Sequence, residues 1–459
     1  MNRASKIPAS FRDDCGFLYN DENGILLRQV NQKYAAHYDL LMGSGLYGRL
    51  ISSGMLVRHE ETAGASSAFK TLKPEKLPFI SYPYEWSFSQ LKDAALLTLS
   101  IQKEALVHGM ILKDASAYNV QFRGAKPVFI DTLSFETYTE GSPWAAYRQF
   151  CMHFLAPLAL CAQTDQSLSG LLGRNLEGIP LSTASRMLPV KSWLNFGLLM
   201  HIHLHARADG AHGKPNRGKP AGLRVSRQSL LAMAESLESA IIGLKSAGEK
   251  TFWRDYYSEM HNYTEEGLDA KAEIVRQACE ALHPEMVWDI GANTGRFSAI
   301  AAETAACTIA MDFDRAAVEN HYLALKKTGS TRIMPLLQDL ANPSPALGWA
   351  GEERSSLEQR GPADLVMALA LVHHICIGNN VPLDAFFAYL SRLGKHLLVE
   401  FVPKDDSQVA EMLLMREDIF PSYMEPGFEH AAEPYFETLF KKPVQGTKRT
   451  LYLFRKKRG

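Results

Sequence analysis

The sequence predicts an α/β protein. A doubly wound sheet fills the C-terminal half, preceded by a mainly helical α+β N-terminal half. Three observations lead there. From Met286 onward, apolar runs of strand length alternate with helical patterns, as stacked βαβ units require. Several of those runs end in an acid: Asp289, Asp312 and Asp339. The first acid opens Asp289-Ile290-Gly291-Ala292-Asn293-Thr294-Gly295, two close glycines placed where a strand must turn into a helix. Glycine tolerates positive φ there and, lacking Cβ, lets a ligand approach the backbone.

At 459 residues the chain is too long for one ordinary domain, and 46% hydrophobic residues are enough to build real cores. We expect a first domain over 1–250 and a second over 251–459. The net charge of −1 exerts no general pull on polyanions. It does not favour a nucleic-acid partner and does not exclude one. The six cysteines are scattered without Cys-x-x-Cys, which predicts reduced, buried thiols and a cytoplasmic protein. No run is long and apolar enough for a membrane span, and none has the form of a secretion signal.

In chain order, Phe17–Tyr19 and Ile25–Leu27 flank a turn and predict a hairpin. A helix is expected over Asn31–Met42, with Tyr34, Tyr38, Leu41 and Met42 on one face. Gly43-Ser44-Gly45-Leu46-Tyr47-Gly48 matches Gly-x-Gly-x-x-Gly but follows a helix, so it predicts a helix–helix joint. Leu77–Trp86, rich in aromatics and proline, predicts a strand running into a connector. An amphipathic helix follows over Ser89–His108.

Asp114 then precedes Asn119 by five positions, and a hairpin leads to an apolar strand ending at Asp131. The stretch resembles the catalytic core of aminoglycoside- and lipopolysaccharide-kinase-like proteins. That resemblance implies Asp114 as base and Asn119 and Asp131 as metal ligands. The glycine-rich phosphate loop is absent, and Arg28 is the nearest match to the strand lysine. The same residues, read without the resemblance, cap and brace a loop. His201, His203 and His205 would share a face on a strand and could hold a metal. On a helix they spread apart, and ordinary structural histidines are the favoured reading. Residues 206–226, rich in glycine, proline and basic side chains, predict a long loop. Helices are expected over Ser226–Ser246 and Glu265–Leu282; Tyr263 and its neighbours could close over the ligand, and packing is the favoured role.

In the second half, Thr308–Asp312 is the second strand. Its acid lies about 20 residues beyond the glycine turn's, where doubly wound folds place a ribose-binding carboxylate. Asp314 caps the following helix. Ile333–Leu340, Ala363–Leu371 and Lys395–Phe401 are strands three to five. Two closing strands near 435–440 and 449–454 make the sheet seven-stranded with one strand reversed. This arrangement, with Asp-x-Gly-x-x-x-Gly and the acid-ended strands in order, resembles the class I S-adenosylmethionine-dependent methyltransferases with their Rossmann-like sheet. The resemblance covers about 285–455. It implies S-adenosyl-L-methionine as cofactor, held by Asp289, Gly291, Asn293, Gly295, Asp312 and Asp339. His373 and His374 follow the fourth strand, at the edge where the methyl should point, and are the candidate acid/base residues, with ligand contact or bracing the favoured role. Residues 342–362 and Ile377–Asn380 are expected to border the acceptor. The whole chain is similar to two-part bacterial methyltransferase proteins, some with a nodulation-related label, and the first half would then recognise an unknown acceptor. Two other readings stand: a ligand-binding adaptor without catalysis, or a two-activity protein with a working kinase half.

Overall fold

The computed structural model describes residues 6–64, 67–211, 224–246, 265–414 and 417–458. The chain forms two compact units. The first comprises Met1–Phe122, Pro127–Gly248 and Leu347–Arg354; the second comprises Arg123–Lys126, Glu249–Ala346 and Ser355–Gly459. The boundary expected between 250 and 251, Tyr263, and most of the loop expected over 206–226 lie outside the described residues.

The first unit is built on an antiparallel sheet of β1 (Gly16–Asn20), β2 (Leu26–Val30), β3 (His59–Thr62) and β4 (Lys70–Pro74), in the order β1-β2-β4-β3. The expected hairpin is β1–β2, with Phe17 opposite Gln29. Val30, Tyr34, Tyr38, Leu72 and Leu133 close one core of this unit. Met42 is exposed rather than on that face. Residues 77–82 form no strand, contrary to expectation. Pro78 and Pro83 carry no N–H to donate to a ladder. The strand that pairs with β2 is instead the polar β4. Gly45, at φ 81°, starts the second of two short helices, so the Gly-x-Gly-x-x-Gly match is the expected joint. The long helix is Phe88–Val107, started by a capping box between Ser87 and Gln90. After it come β5 (Met110–Leu112), β6 (Val120–Arg123), β7 (Lys126–Phe129) and β8 (Phe135–Thr137). Helical segments make up most of residues 147–207, and a 17-residue helix, Arg227–Gly243, is capped by Ser226.

The second unit carries β9 (Met286–Ile290), β10 (Cys307–Asp312), β11 (Ile333–Leu337), β12 (Ala363–Ala368), β13 (Gly394–Phe401), β14 (Phe436–Pro443) and β15 (Thr450–Lys456). Their order is β11-β10-β9-β12-β13-β15-β14. β15 runs antiparallel to both of its neighbours, and the other pairs are parallel. The seven strands and the single reversal match the expectation. Strand order reverses about β9, so chain segments leaving β9 and β12 diverge and open a crevice at the carboxyl edge. Beneath it, Val287, Leu365, Met367, Leu398, Leu451 and Leu453 pack against Ile274, Val275 and Ala278 of helix Glu265–Leu282. The helix Glu425–Ala432 was not expected from the sequence. All six cysteines are buried and free.

Candidate functional site

The crevice is a cavity of about 310 Å³, a size that suits a small ligand. Its walls come from the residues that follow four strands: Ile290 and Gly291 after β9, Asp312 and Phe313 after β10, Gln338 to Leu340 after β11, and Leu369 to Leu371 after β12. Asn293 of the glycine turn, with His374, Ile375, Gly378 and Asn379 on and just after a π-helical turn, His374–Gly378, completes it.

The glycine turn is bent as its sequence requires. Gly291 has φ 78° and Asn293 φ 50°, a left-handed conformation that asparagine tolerates better than most residues. Gly295 has φ 84° and starts helix Arg296–Thr304. A Cβ on Gly295 would lie 2.0 Å from the His321 ring, so this glycine serves packing beneath the turn and is not on the cavity wall. Asp289 is not on the wall either. It is buried and accepts the Ser298 hydroxyl at 2.6 Å, which ties the end of β9 to the helix after the turn. Burial pushes its carboxyl up to about 6, against the Ser298 hydrogen bond and the Lys271 cation.

Asp312 faces the cavity. Its Oδ2 accepts the Asn293 N–H at 2.7 Å and its Oδ1 the Asp314 N–H at 2.8 Å. These bonds join the second strand's end to the glycine turn and orient both oxygens. Burial raises this carboxyl to about 6, with the two N–H groups opposing. Asp314 caps the next helix by accepting the N–H groups of Ala316 and Ala317. Asp339 lies on the wall, exposed, and accepts the Ala341 N–H at 2.8 Å. Gln338 beside it is buried, also on the wall, and accepts both the Ser344 N–H and hydroxyl. Sequence reading passed over Gln338: a Gln–Asp pair at a strand end does not say which side chain turns inward.

The two histidines part ways. His374 is on the wall, and its imidazole is pushed down to about 4 by burial and by Arg449. His373 is fully buried off the wall, its ring 4.0 Å from that of His374. Neither of its ring nitrogens has a hydrogen-bond partner among the described residues. Burial, then His374, Arg449 and Lys271, hold it well below its ordinary value. None of residues 342–362 is on the wall, whereas Gly378 and Asn379 are. The ionisable groups that line the cavity are Asp312, Asp339 and His374. The wall therefore offers hydrogen-bond acceptors between apolar surfaces (Ile290, Phe313, Leu340, Ile375) and, among the described residues, no cation for a phosphate. This fits a nucleoside with free hydroxyls.

In the first unit, Asp114, Asn119 and Asp131 do come together. Asn119 and Gln149 hydrogen-bond to the partly buried Asp114, whose carboxyl is raised by desolvation. Asn119 also donates to the Ser134 hydroxyl at 3.1 Å, which donates to Asp131 at 2.5 Å. Arg28 lies 2.9 Å from Asp131 and 2.7 Å from Asp13. An arginine thus stands where the implied metal would need Asp131. The histidine run is helical, as favoured. His201 meets Tyr147 and Ser236, and His203 meets Ser185 and Ser192, so the four ring nitrogens of these two are hydrogen-bonded within the unit.

No protein-family model matches the chain. One curated relative spans nearly all of it: nodulation protein NoeA of Rhizobium meliloti (strain 1021), 35% identical over 463 residues, covering 98% of this chain and 96% of the relative. The chain belongs to the NoeA family. Among solved structures, parts of this family member are similar to N-methyltransferase NodS from Bradyrhizobium japonicum WM9 (11% identity, 42% of this chain and 98% of that one, TM-score 0.32). They are also similar to the magnesium protoporphyrin IX methyltransferase ChlM from Synechocystis PCC 6803, solved with bound SAM (16%, 44% and 95%, 0.31). A third is the bifunctional kinase-methyltransferase WbdD (15%, 47% and 45%, 0.31). No helix among the described residues is long and apolar enough to cross a membrane.

Proposed function

We propose that this NoeA-family chain transfers a methyl group from S-adenosyl-L-methionine to an acceptor. The observation that carries the reading is Asp312. It is a carboxylate at the end of the second strand, held by the N–H groups of Asn293 and Asp314 and facing a cavity at the carboxyl edge of a seven-stranded sheet with one reversed strand. Asp312 would accept the ribose hydroxyls. Asp339, with Gln338 beside it, would accept the adenine amino group, and Phe313 and Leu340 would flank the base. Gly291 and the wall of Leu369 to Leu371 would hold the amino-acid arm. Asp289 and Gly295 support the reading one layer back, by shaping the turn. When bound, the cofactor supplies an activated sulfonium methyl.

What remains for the chain is to hold the acceptor's lone pair in line with that methyl and keep water out. His374 is the one ionisable side chain on the wall near the acceptor edge. With its conjugate acid near 4 it is neutral and a weak base. It therefore serves to orient an acceptor by hydrogen bonding, and His373, off the wall, does not reach it. The first unit is read as the acceptor-recognition module. Arg28 on Asp131 speaks for binding there over magnesium-dependent phosphoryl transfer. The buried, unbridged thiols support a reducing compartment.

Calorimetric titration with S-adenosylmethionine and S-adenosylhomocysteine tests the reading, with magnesium-ATP as a separate titrant. Micromolar binding to the wild type, weakened at least tenfold by Asp312→Ala, is the expected result. A wild type that binds neither would overturn it and leave the adaptor reading.

A further inference from the structure

Behind the cavity wall, four charged side chains from distant parts of the second unit meet. Lys271 is 2% exposed, and Glu400 and Arg449 are each 0% exposed. Lys271 Nζ donates to Glu400 Oε2 at 2.6 Å. Arg449 lies 3.8 Å from the other carboxylate oxygen, Oε1, and is itself held by Asp406 through two bonds of 2.8 and 3.0 Å. Two cations and two carboxylates compensate one another. Apolar side chains of similar volume usually fill such a space with no loss of stability, so core filling does not account for the charges.

The network also reaches the backbone. Glu400 Oε2 also accepts the backbone N–H of Ala370 at 2.8 Å. Ala370 has φ 50°, a conformation that alanine keeps only when its surroundings impose it. Ala370 and both its neighbours, Leu369 and Leu371, are cavity wall. Leu371 also reaches the glycine turn: a Cβ on Gly291 would lie 3.3 Å from its Cδ1. We propose that Glu400 is a positioning residue for the cofactor cavity. Through the Ala370 amide it holds the turn after β12 against the glycine turn after β9, and Lys271 and Arg449 fix its own carboxylate. The proposal rests on the methyltransferase reading for what the cavity holds.

Amide hydrogen exchange and calorimetry with S-adenosylhomocysteine test it together. In the wild type, the Ala370 amide should exchange at least a hundredfold more slowly than a solvent-exposed alanine amide. Exchange at the exposed rate overturns the proposal without any variant. The paired variant Lys271→Met/Glu400→Leu removes the ion pair as a unit, and its melting temperature reports whether the fold survives. It should bind S-adenosylhomocysteine at least tenfold more weakly, with faster exchange at Ala370. Glu400→Gln keeps an oxygen for that amide and should stay within about threefold of the wild type. Wild-type affinity in the paired variant overturns the positioning role alone. A wild type that binds no S-adenosylhomocysteine overturns the methyltransferase reading, and this role falls with it.

Discussion

Asp131 and Asp312 look alike in the sequence: each ends or follows an apolar strand, and a family resemblance gives each a ligand-binding role. Their surroundings separate them. Asp131 faces Arg28 and the Ser134 hydroxyl, so its charge is answered within the first unit. Asp312 meets only backbone N–H groups on its inner side and looks into a cavity. The lesson is that an acid at a strand end becomes a ligand site only when its neighbours orient it without neutralising it.

The largest expected effect would come from breaking the first of these. Arg28 and Asp131 are largely buried, so Arg28→Ala would leave two carboxylates facing each other without their cation. A loss of about 3 kcal/mol is expected by denaturant unfolding, with binding of S-adenosylhomocysteine unchanged. Magnesium-dependent ATP binding that disappears in Asp131→Ala would instead count for the two-activity reading. Next comes Asp312→Ala. Removing a charged acceptor should cost about 1.5–3 kcal/mol of binding, a tenfold to hundredfold rise in Kd.

The pH dependence sharpens the comparison further. Ribose hydroxyls donate to the ionised form of Asp312, whose folded value is about 6. Affinity should be full above pH 7 and fall as the pH drops through 6, with Kd at pH 5 about tenfold above its value at pH 7.5. Asp312→Asn should flatten that profile. The smallest effect is expected from Asp289→Asn, because Asp289 titrates in the same range but lies off the wall. Affinity should stay within about threefold, and its pH profile should persist. Stability should change instead. A raised carboxyl value means the folded chain holds a proton that the unfolded chain releases. Asp289 therefore makes stability fall as pH rises from about 4 to 6. The asparagine variant should show a shallower fall in thermal melts across that window.

The seven-stranded sheet was legible because its strands are apolar, short and punctuated by acids and glycines. The first unit was less so. β3 reads His59-Glu60-Glu61-Thr62 and β4 Lys70-Thr71-Leu72-Lys73-Pro74, and neither has an apolar alternation to announce it. The aromatic stretch over 77–86 looked like a strand running into a connector because it is largely apolar, yet it packs as coil followed by a 3-10 turn, Pro83–Glu85. In the candidate site, the motif named Asp289 and Gly295 together with Gly291 and Asn293, because spacing does not separate a wall from the brace behind it. That distinction rests on Ser298 and His321, which spacing alone does not link to it. His373 and His374 show the same limit at its narrowest: helical turning of successive side chains put one in the core and the other on the wall. The Glu400 network was the least visible. Its members are scattered along the chain, and the only local sign is an acid within the apolar run Leu397-Leu398-Val399-Glu400-Phe401.

The reversal of β15 has a consequence for how this unit is made. Because that strand runs against its neighbours, it begins at the edge where the parallel strands end, with Phe401 opposite Thr450. Arg449, just before it, thereby reaches the cavity's side of the sheet. On the ribosome, every parallel strand and both turns around the cavity emerge before Arg449 does. Until residue 449 has been synthesised, Asp406 lacks its guanidinium and Glu400 one of its two cations. The nascent domain therefore carries an uncompensated negative charge beside its future binding cleft. The buried network therefore closes only once Arg449 and the start of β15 are in place.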